Sequence, residues 1–355
     1  MKPLSILYVA YPLLTVTPES AGGAEQMLLA VEREMARAGH STTVAASTGS
    51  QAAGRLLPTG NPVNAPDQYE SREREHSACV LQYLSQHSNE FDLIHDKSGS
   101  FFRHAAECPV PVLATLHLPR SFYREEYFHN PAPTLFLNCV SPSQAGSFDG
   151  LPNFDGVVEN GIAVDDFPFS TEREDYLLWL GRICEEKAPH LAIGVARKAR
   201  LPLVLAGRVY PFSYHRKYFD REIRPHLGEG SDVRFIDTPA RQNKLKVLSH
   251  ARALILTSTA AETSSLVAME AMACGTPVVA FRRGAFPEIV ADQAARRNDV
   301  RRILRGKVGT DHRPLISSVA GFENYLAAVV HRVVIERINR QRRRPVTAIF
   351  CRVRR

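Results

Sequence analysis

Two glutamates eight positions apart, Glu262 and Glu270, bracket the run Thr263-Ser264-Ser265-Leu266-Val267-Ala268-Met269 and lead into Ala271-Met272-Ala273-Cys274-Gly275-Thr276-Pro277. A carboxylate only accepts hydrogen bonds, so it suits vicinal hydroxyls, whereas a diphosphate needs donors and positive charge. Glu262 follows an apolar strand-like stretch, Ala253 to Leu256, and a polar loop; Leu266 to Ala273 has helical composition and stops at Gly275-Thr276-Pro277. One carboxylate is therefore expected before a helix and the other about two turns further on, within it. The backbone amides of that helix start, around Ser264, Ser265 and Leu266, would face the same space as Glu262. Unpaired amides and the helix dipole make an anion site, so a diphosphate and a polyhydroxy group could both be held there. Taken alone, two glutamates at this spacing are more often solvated on a surface helix.

A second cluster lies about eighty residues upstream. Tyr176-Leu177-Leu178-Trp179-Leu180 reads as a buried strand ending in Gly181-Arg182-Ile183-Cys184-Glu185-Glu186-Lys187, before a helical segment from Pro189 to Ala199. In an open parallel sheet, ligands lie beyond the carboxyl ends of the strands, which places Arg182 and Lys187 in reach of the space facing Glu262. Without the other motif these two cations would read as surface partners of Glu185 or Glu186.

The glutamate pair, with Gly275-Thr276-Pro277 and Pro287-Glu288-Ile289-Val290, resembles the donor site of glycosyltransferase family 4, retaining enzymes of the GT-B fold. The resemblance covers roughly residues 3 to 290. It implies that Glu262 contacts the transferred sugar, that Glu270 contacts the ribose, and that Arg182 and Lys187 neutralise the leaving diphosphate. The family usually has glycine where this chain has Ala188, a substitution that looks small. No Asp-x-Asp triplet is present, and the resemblance implies no cofactor and no metal.

The amino-terminal half carries weaker signals. Ile6 to Ala10 looks like a first strand, and Ala21-Gly22-Gly23-Ala24-Glu25-Gln26 a glycine-rich loop opening a helix whose apolar face is Met27, Leu28, Val31 and Met35. Gly22 and Gly23 let backbone approach a ligand closely, and the family places such a loop near the donor phosphates. Val110 to Leu116 is a further buried strand with His117 at its end; by resemblance His117 contacts sugar or acceptor and helps polarise the reacting groups. His95, after Phe91-Asp92-Leu93-Ile94, is expected to be structural or acceptor-side.

Alternating strand and helix signals over 355 residues, with 44% hydrophobic and 23% charged composition, predict two doubly wound Rossmann-like α/β domains facing across a cleft. The expected divisions are residues 1–162 on the acceptor side, a linker over 163–174 after the turn at Asn160-Gly161, and a donor domain over 175–291. Residues 49–67, with Gly, Pro and Asn and little periodicity, read as an exposed loop. The six cysteines form no C-x-x-C pair, which suggests neither a zinc site nor a disulfide framework and fits a reducing cytoplasm. The apolar run from Leu4 to Val16 is interrupted by Tyr8, Tyr11 and Pro12, favouring a strand over a signal peptide. No segment is long and apolar enough to span a bilayer.

Residues 292–355 hold 16 of the 44 basic and 5 of the 37 acidic residues, so the basic pI belongs to this tail and the remainder is slightly acidic. Arg342-Arg343-Arg344 and Arg352-Val353-Arg354-Arg355 fit a weak contact with nucleic acid or an acidic membrane surface. After Val290 the family pattern breaks, and the tail resembles a shifted reading frame or a replaced terminus, leaving the second domain incomplete or atypical and activity impaired. The expected function is transfer of a sugar from a nucleoside diphosphate donor to a hydroxylated acceptor. Two alternatives stay open: a GT-B epimerase or phosphorylase, and a nonenzymatic protein with a vestigial site whose tail binds nucleic acid.

Overall fold

The computed structural model describes residues 3–20, 22–63 and 65–290. Residues 291–355, on which the expectation of an atypical basic tail falls, lie outside the described residues. Among the described residues, strands β1 (Ser5–Val9), β2 (Ser41–Ala46), β3 (Arg55–Pro58), β4 (Leu93–Asp96), β5 (Val112–Leu116), β6 (Leu135–Cys139) and β7 (Phe154–Val157) form one parallel sheet, ordered β3-β2-β1-β4-β5-β6-β7. Helices α1 (Gly23–Arg37), α2 (Tyr69–Gln86) and α3 (Pro142–Ala145) belong to this half.

The second parallel sheet contains β8 (Leu177–Arg182), β9 (Leu203–Arg208), β10 (Val233–Asp237), β11 (Ala253–Leu256) and β12 (Val278–Ala280), ordered β10-β9-β8-β11-β12. Its helices are α4 (Pro189–Ala199), α5 (Ser213–Tyr218), α6 (Arg241–His250), α7 (Leu266–Ala273) and α8 (Phe286–Ile289). Strands covered on both faces read as continuous apolar runs, and this is why Leu177-Leu178-Trp179-Leu180 is legible without alternation. Trp179 packs with Ile193 and Leu205 on one face, while Leu178 and Leu180 meet Leu248 and Ala271 on the other. Strand order reverses between β1 and β4 and again between β8 and β11. A doubly wound sheet opens its ligand crevice at such a reversal.

The segment at 49–67 departs from its expected loop character, since Arg55–Pro58 pairs in parallel with Thr43 to Ala46. A four-residue edge strand among glycine and proline leaves too little periodicity to detect. Between the sheets, Phe167 packs against the second core, Ser170 N–H donates to the Cys274 carbonyl, and the Arg173 guanidinium donates to the carbonyls of Ser249 and Ser170 at 2.8 and 2.7 Å. The connecting segment is thus bonded onto the second domain. No helix among the described residues is long and apolar enough to cross a membrane.

Three histidines of the first domain are held neutral by burial. His76 is 1% exposed, and burial followed by the Arg72 charge pushes its pKa down to about 3. Burial and Lys97 hold His95 and His117 well below their usual range. A histidine that stays neutral when folded loses stability as pH falls below its unfolded value, at about 1.4 kcal/mol per unit. Between pH 6.5 and 5, His76 alone should cost about 2 kcal/mol. Asp96 runs the other way, because burial raises its carboxyl to about 6, so acidification below that value relieves a buried charge and offsets part of the loss. The melting temperature is expected to fall from pH 7 to 5, and less so in His76→Gln. Equal slopes in the two proteins would contradict the burial argument.

Candidate donor site

The loop after β11 and the start of α7 form one wall of a cleft of about 420 Å³ between the domains. Glu262 sits in that loop with its side chain 10% exposed, and Lys187, just past β8, donates to both its carboxylate oxygens at 2.6 and 2.5 Å. The Glu262 carbonyl accepts from Ala285 N–H at 2.8 Å. Thr263 Oγ1 donates across the cleft to the His117 carbonyl at 2.7 Å. Loop and opposite domain are therefore tied beside the glutamate.

The helix start is built by a side-chain cap. Ser265 Oγ accepts from Ala268 N–H at 3.3 Å, while Leu266 packs against the first domain's core. First-turn amides have no intrahelical acceptor, and Ser264, Ser265, Leu266 and Val267 all border the cleft. Ser264 Oγ is buried and has no hydrogen-bond partner among the described residues. Glu270, 3% exposed, lies one turn deeper. Its Oε1 accepts from Lys244 Nζ at 2.7 Å, whereas Oε2 is buried and has no partner among the described residues. Buried acceptors are normally satisfied, so this oxygen fits a ligand hydroxyl.

Arg182 at the end of β8 borders the cleft and pairs with Glu186 at 3.2 Å, its side chain 41% exposed. The pairing foreseen as the bland alternative therefore exists, and it leaves the guanidinium on the cleft wall. Opposite, Gly22 and Gly23 at the start of α1 also border the cleft. A Cβ built on Gly23 would lie 3.6 Å from Leu266 Cδ1, so the glycine loop sits directly against the start of α7. His117 lies at the end of β5 with Nε2 buried and unpartnered among the described residues; held neutral by burial, it can accept or donate one hydrogen bond but carries no charge.

The cleft therefore brings together Glu262, Glu270, Arg182 and Lys187 with Ser264, Ser265 and Leu266 on one side and with His117, Gly22 and Gly23 on the other. His95 does not border it. Its ring donates to or accepts from Thr115 Oγ1 at 2.9 Å inside the first sheet, and it lies 5.4 Å from the Tyr8 ring. It supports the strand end that carries His117.

Two family models match this arrangement in chain order: residues 21–150 match Glycosyltransferase Family 4 and residues 165–298 match Glycosyl transferases group 1. The chain belongs to this glycosyltransferase family. Curated relatives include the D-inositol 3-phosphate glycosyltransferases of Frankia alni, 34% identical over 127 residues that cover 33% of this chain and 31% of the relative, and of Mycobacterium avium, 34% identical over 122 residues that cover 34% and 28%. The chain thus spans about a third of the length of the curated relatives it matches. Among solved structures, AviGT4, a glycosyltransferase involved in avilamycin A biosynthesis, superposes with a TM-score of 0.65 at 21% identity, covering 96% of this chain and 97% of that one. Anabaena HepE in complex with UDP-glucose gives 0.64 at 18% identity, covering 95% and 98%. These likenesses show that the two facing parallel-sheet domains are the GT-B fold.

Two features of this family member escape sequence reading. Lys244, the partner of Glu270, comes from α6, whose sequence Arg-Gln-Asn-Lys-Leu-Lys-Val-Leu-Ser-His is mostly polar and singles out no one lysine. Ala188 is a correction. Expected to be an innocuous replacement of glycine, it caps α4 with φ 47° and ψ 53°, in the left-handed region. A side chain there costs about 1–2 kcal/mol. Ala188→Gly is expected to raise stability by about 1 kcal/mol, or the melting temperature by about 2 °C; a lower melting temperature would show that the buried methyl contributes more by packing than it costs in strain.

Proposed function

We propose that the chain transfers a sugar from a nucleoside diphosphate sugar to a hydroxylated acceptor, with retention of anomeric configuration, without a divalent metal and in the cytoplasm. The observation that carries this reading is the pair of lysine-held carboxylates on one cleft wall with a capped helix start between them. Glu262 would orient the sugar hydroxyls. Glu270, with one oxygen unpartnered among the described residues, would take the ribose. Lys187, Arg182 and the amides preceding Val267 would stabilise the diphosphate as charge develops on it.

In the step itself, the bond from the anomeric carbon to the diphosphate oxygen breaks and a new bond to the acceptor oxygen forms on the same face. The acceptor proton passes to a departing diphosphate oxygen. No carboxylate becomes covalently bonded to the sugar, unlike the usual retaining glycosidase. Neutral His117 faces the reacting sugar from the other domain and supplies one hydrogen bond.

The UDP-glucose held by HepE and the cyclitol phosphate named for the curated relatives suggest where a substrate panel should begin. Release of nucleoside diphosphate that requires an acceptor separates transfer from epimerisation. NMR of the first-formed product is expected to show the donor's anomeric configuration, with turnover surviving EDTA. Inversion, or strict dependence on added manganese or magnesium, would overturn the reading.

A further inference from the structure

Beside the cleft, Cys184, Glu186 and His215 form a cluster that the function above does not use. One ligand atom from each, the Cys184 sulfur, a Glu186 carboxylate oxygen and a His215 ring nitrogen, lie within 4.8 Å of one another. Cys184 and His215 are both 0% exposed. Neither ring nitrogen of His215 has a hydrogen-bond partner among the described residues, although Tyr214, Phe212 and Tyr210 surround it with ring centroids at 4.2, 5.3 and 6.2 Å. A buried imidazole ordinarily satisfies at least one nitrogen. Ring carbons provide no such partner, so both nitrogens are left open to an added group.

Two of the ligands share the loop after β8 and the third comes from a separate helix. Cys184 follows β8, and its thiol points to the Arg182 carbonyl at 3.5 Å. The Glu186 carbonyl accepts from Thr259 N–H at 2.9 Å and from Ser258 Oγ at 3.0 Å, fixing its backbone to the loop after β11. His215 is carried by α5. Tetrahedral zinc with sulfur, nitrogen and oxygen ligands at about 2.0–2.3 Å separates them by about 3.3–3.8 Å, so the cluster, whose ligand atoms already lie within 4.8 Å of one another, closes by about 1 Å on binding. Thiolate and imidazole select a borderline metal, whereas magnesium and manganese prefer all-oxygen sites.

We propose that Cys184, Glu186 and His215 bind one Zn²⁺, with a water completing the tetrahedron. Binding releases the Cys184 thiol proton to solvent, so the local charge rises by one. It also draws Glu186 away from Arg182, freeing that guanidinium toward the cleft. The site therefore acts on the diphosphate side of the cleft and tightens binding of a nucleoside diphosphate; this link rests on the function proposed above, whereas metal binding does not. Zinc here is an effector and leaves the transfer step free of a metal requirement.

The test uses the full chain, stripped with chelator and titrated with Zn²⁺ alone against a chromophoric competitor. One equivalent is expected to bind. Cys184→Ser and His215→Gln are each expected to weaken it at least about 100-fold, more than removal of a merely supporting partner does. Co²⁺ in the unaltered protein should give a thiolate charge-transfer band, which decides the matter if a variant fails to fold. Binding unchanged in both variants, or cobalt bound without a thiolate band, overturns the site. UDP affinity should rise about threefold or more with one equivalent of zinc. Zinc binding with unchanged UDP affinity overturns the link alone, and no UDP binding in either form overturns the donor reading while the metal site stands.

Discussion

Glu262→Ala and Arg182→Ala are each expected to lower transfer by about 30-fold to 1000-fold with the fold retained. Losing a contact aimed at charge that develops in the reaction removes about 2–4 kcal/mol of transition-state stabilisation. The fold should survive because neither side chain holds the core. Glu262 pairs with Lys187, whose side chain is 31% exposed and can be rehydrated, and Arg182 is itself 41% exposed. Glu270→Gln should behave differently. A ribose contact exists in ground and transition states alike, so donor affinity falls while the maximal rate is kept. That substitution also leaves the Lys244 ammonium, 18% exposed, without its charge partner, so Lys244→Met in the same chain should recover stability but not affinity. Near-normal turnover in both Glu262→Ala and Arg182→Ala would sink the donor site, and a pure rate defect in Glu270→Gln would sink the ribose assignment.

What the sequence made legible follows from how each element is stabilised. The strand at Ala253–Leu256 and the helices at Pro189–Ala199 and Leu266–Ala273 have the bounds expected, the strand from an apolar run that gives way to a polar loop and the helices from helical composition bounded by proline or glycine. Such elements are specified by their own composition. That the glycine loop, His117 and the two glutamates would border one cleft was legible because strand ends and helix starts place residues on the ligand edge of a parallel sheet whatever the neighbours. Pairings were not. Lys244 meets Glu270 across 26 residues, and Cys184 lies within 4.8 Å of His215 from another element, neither at a spacing that any local motif carries. β3 was missed because an edge strand needs only one ladder and few apolar residues. Ala188 looked harmless because backbone dihedrals are invisible in composition. The tail falls outside the described residues, so its abnormal pattern remains a property of the sequence.

The other large effect is expected from a residue that touches no ligand. Gly284 has φ +54°, and a Cβ built there would lie 2.2 Å from the Glu262 carbonyl oxygen and 2.4 Å from its nitrogen. Neither atom is the end of a flexible side chain; both are backbone of the loop that carries Glu262, pinned on one side by Ala285 N–H at 2.8 Å and on the other by Thr263 Oγ1 on His117. Gly284→Ala must therefore push the loop away from β12 and α8, moving the Glu262 carboxylate on the cleft wall. A displacement of about 1 Å in a positioning group costs on the order of 100-fold. The expected result is a loss of turnover approaching that of Glu262→Ala although the carboxylate is still present, with UDP affinity changed much less because Glu270 and Lys244 lie on α7 and α6, away from the clash. Isothermal titration with UDP separates this from unfolding, since an unfolded variant binds none. Turnover within about threefold of the parent would show that the loop yields elsewhere and that Glu262 is not positioned through Gly284.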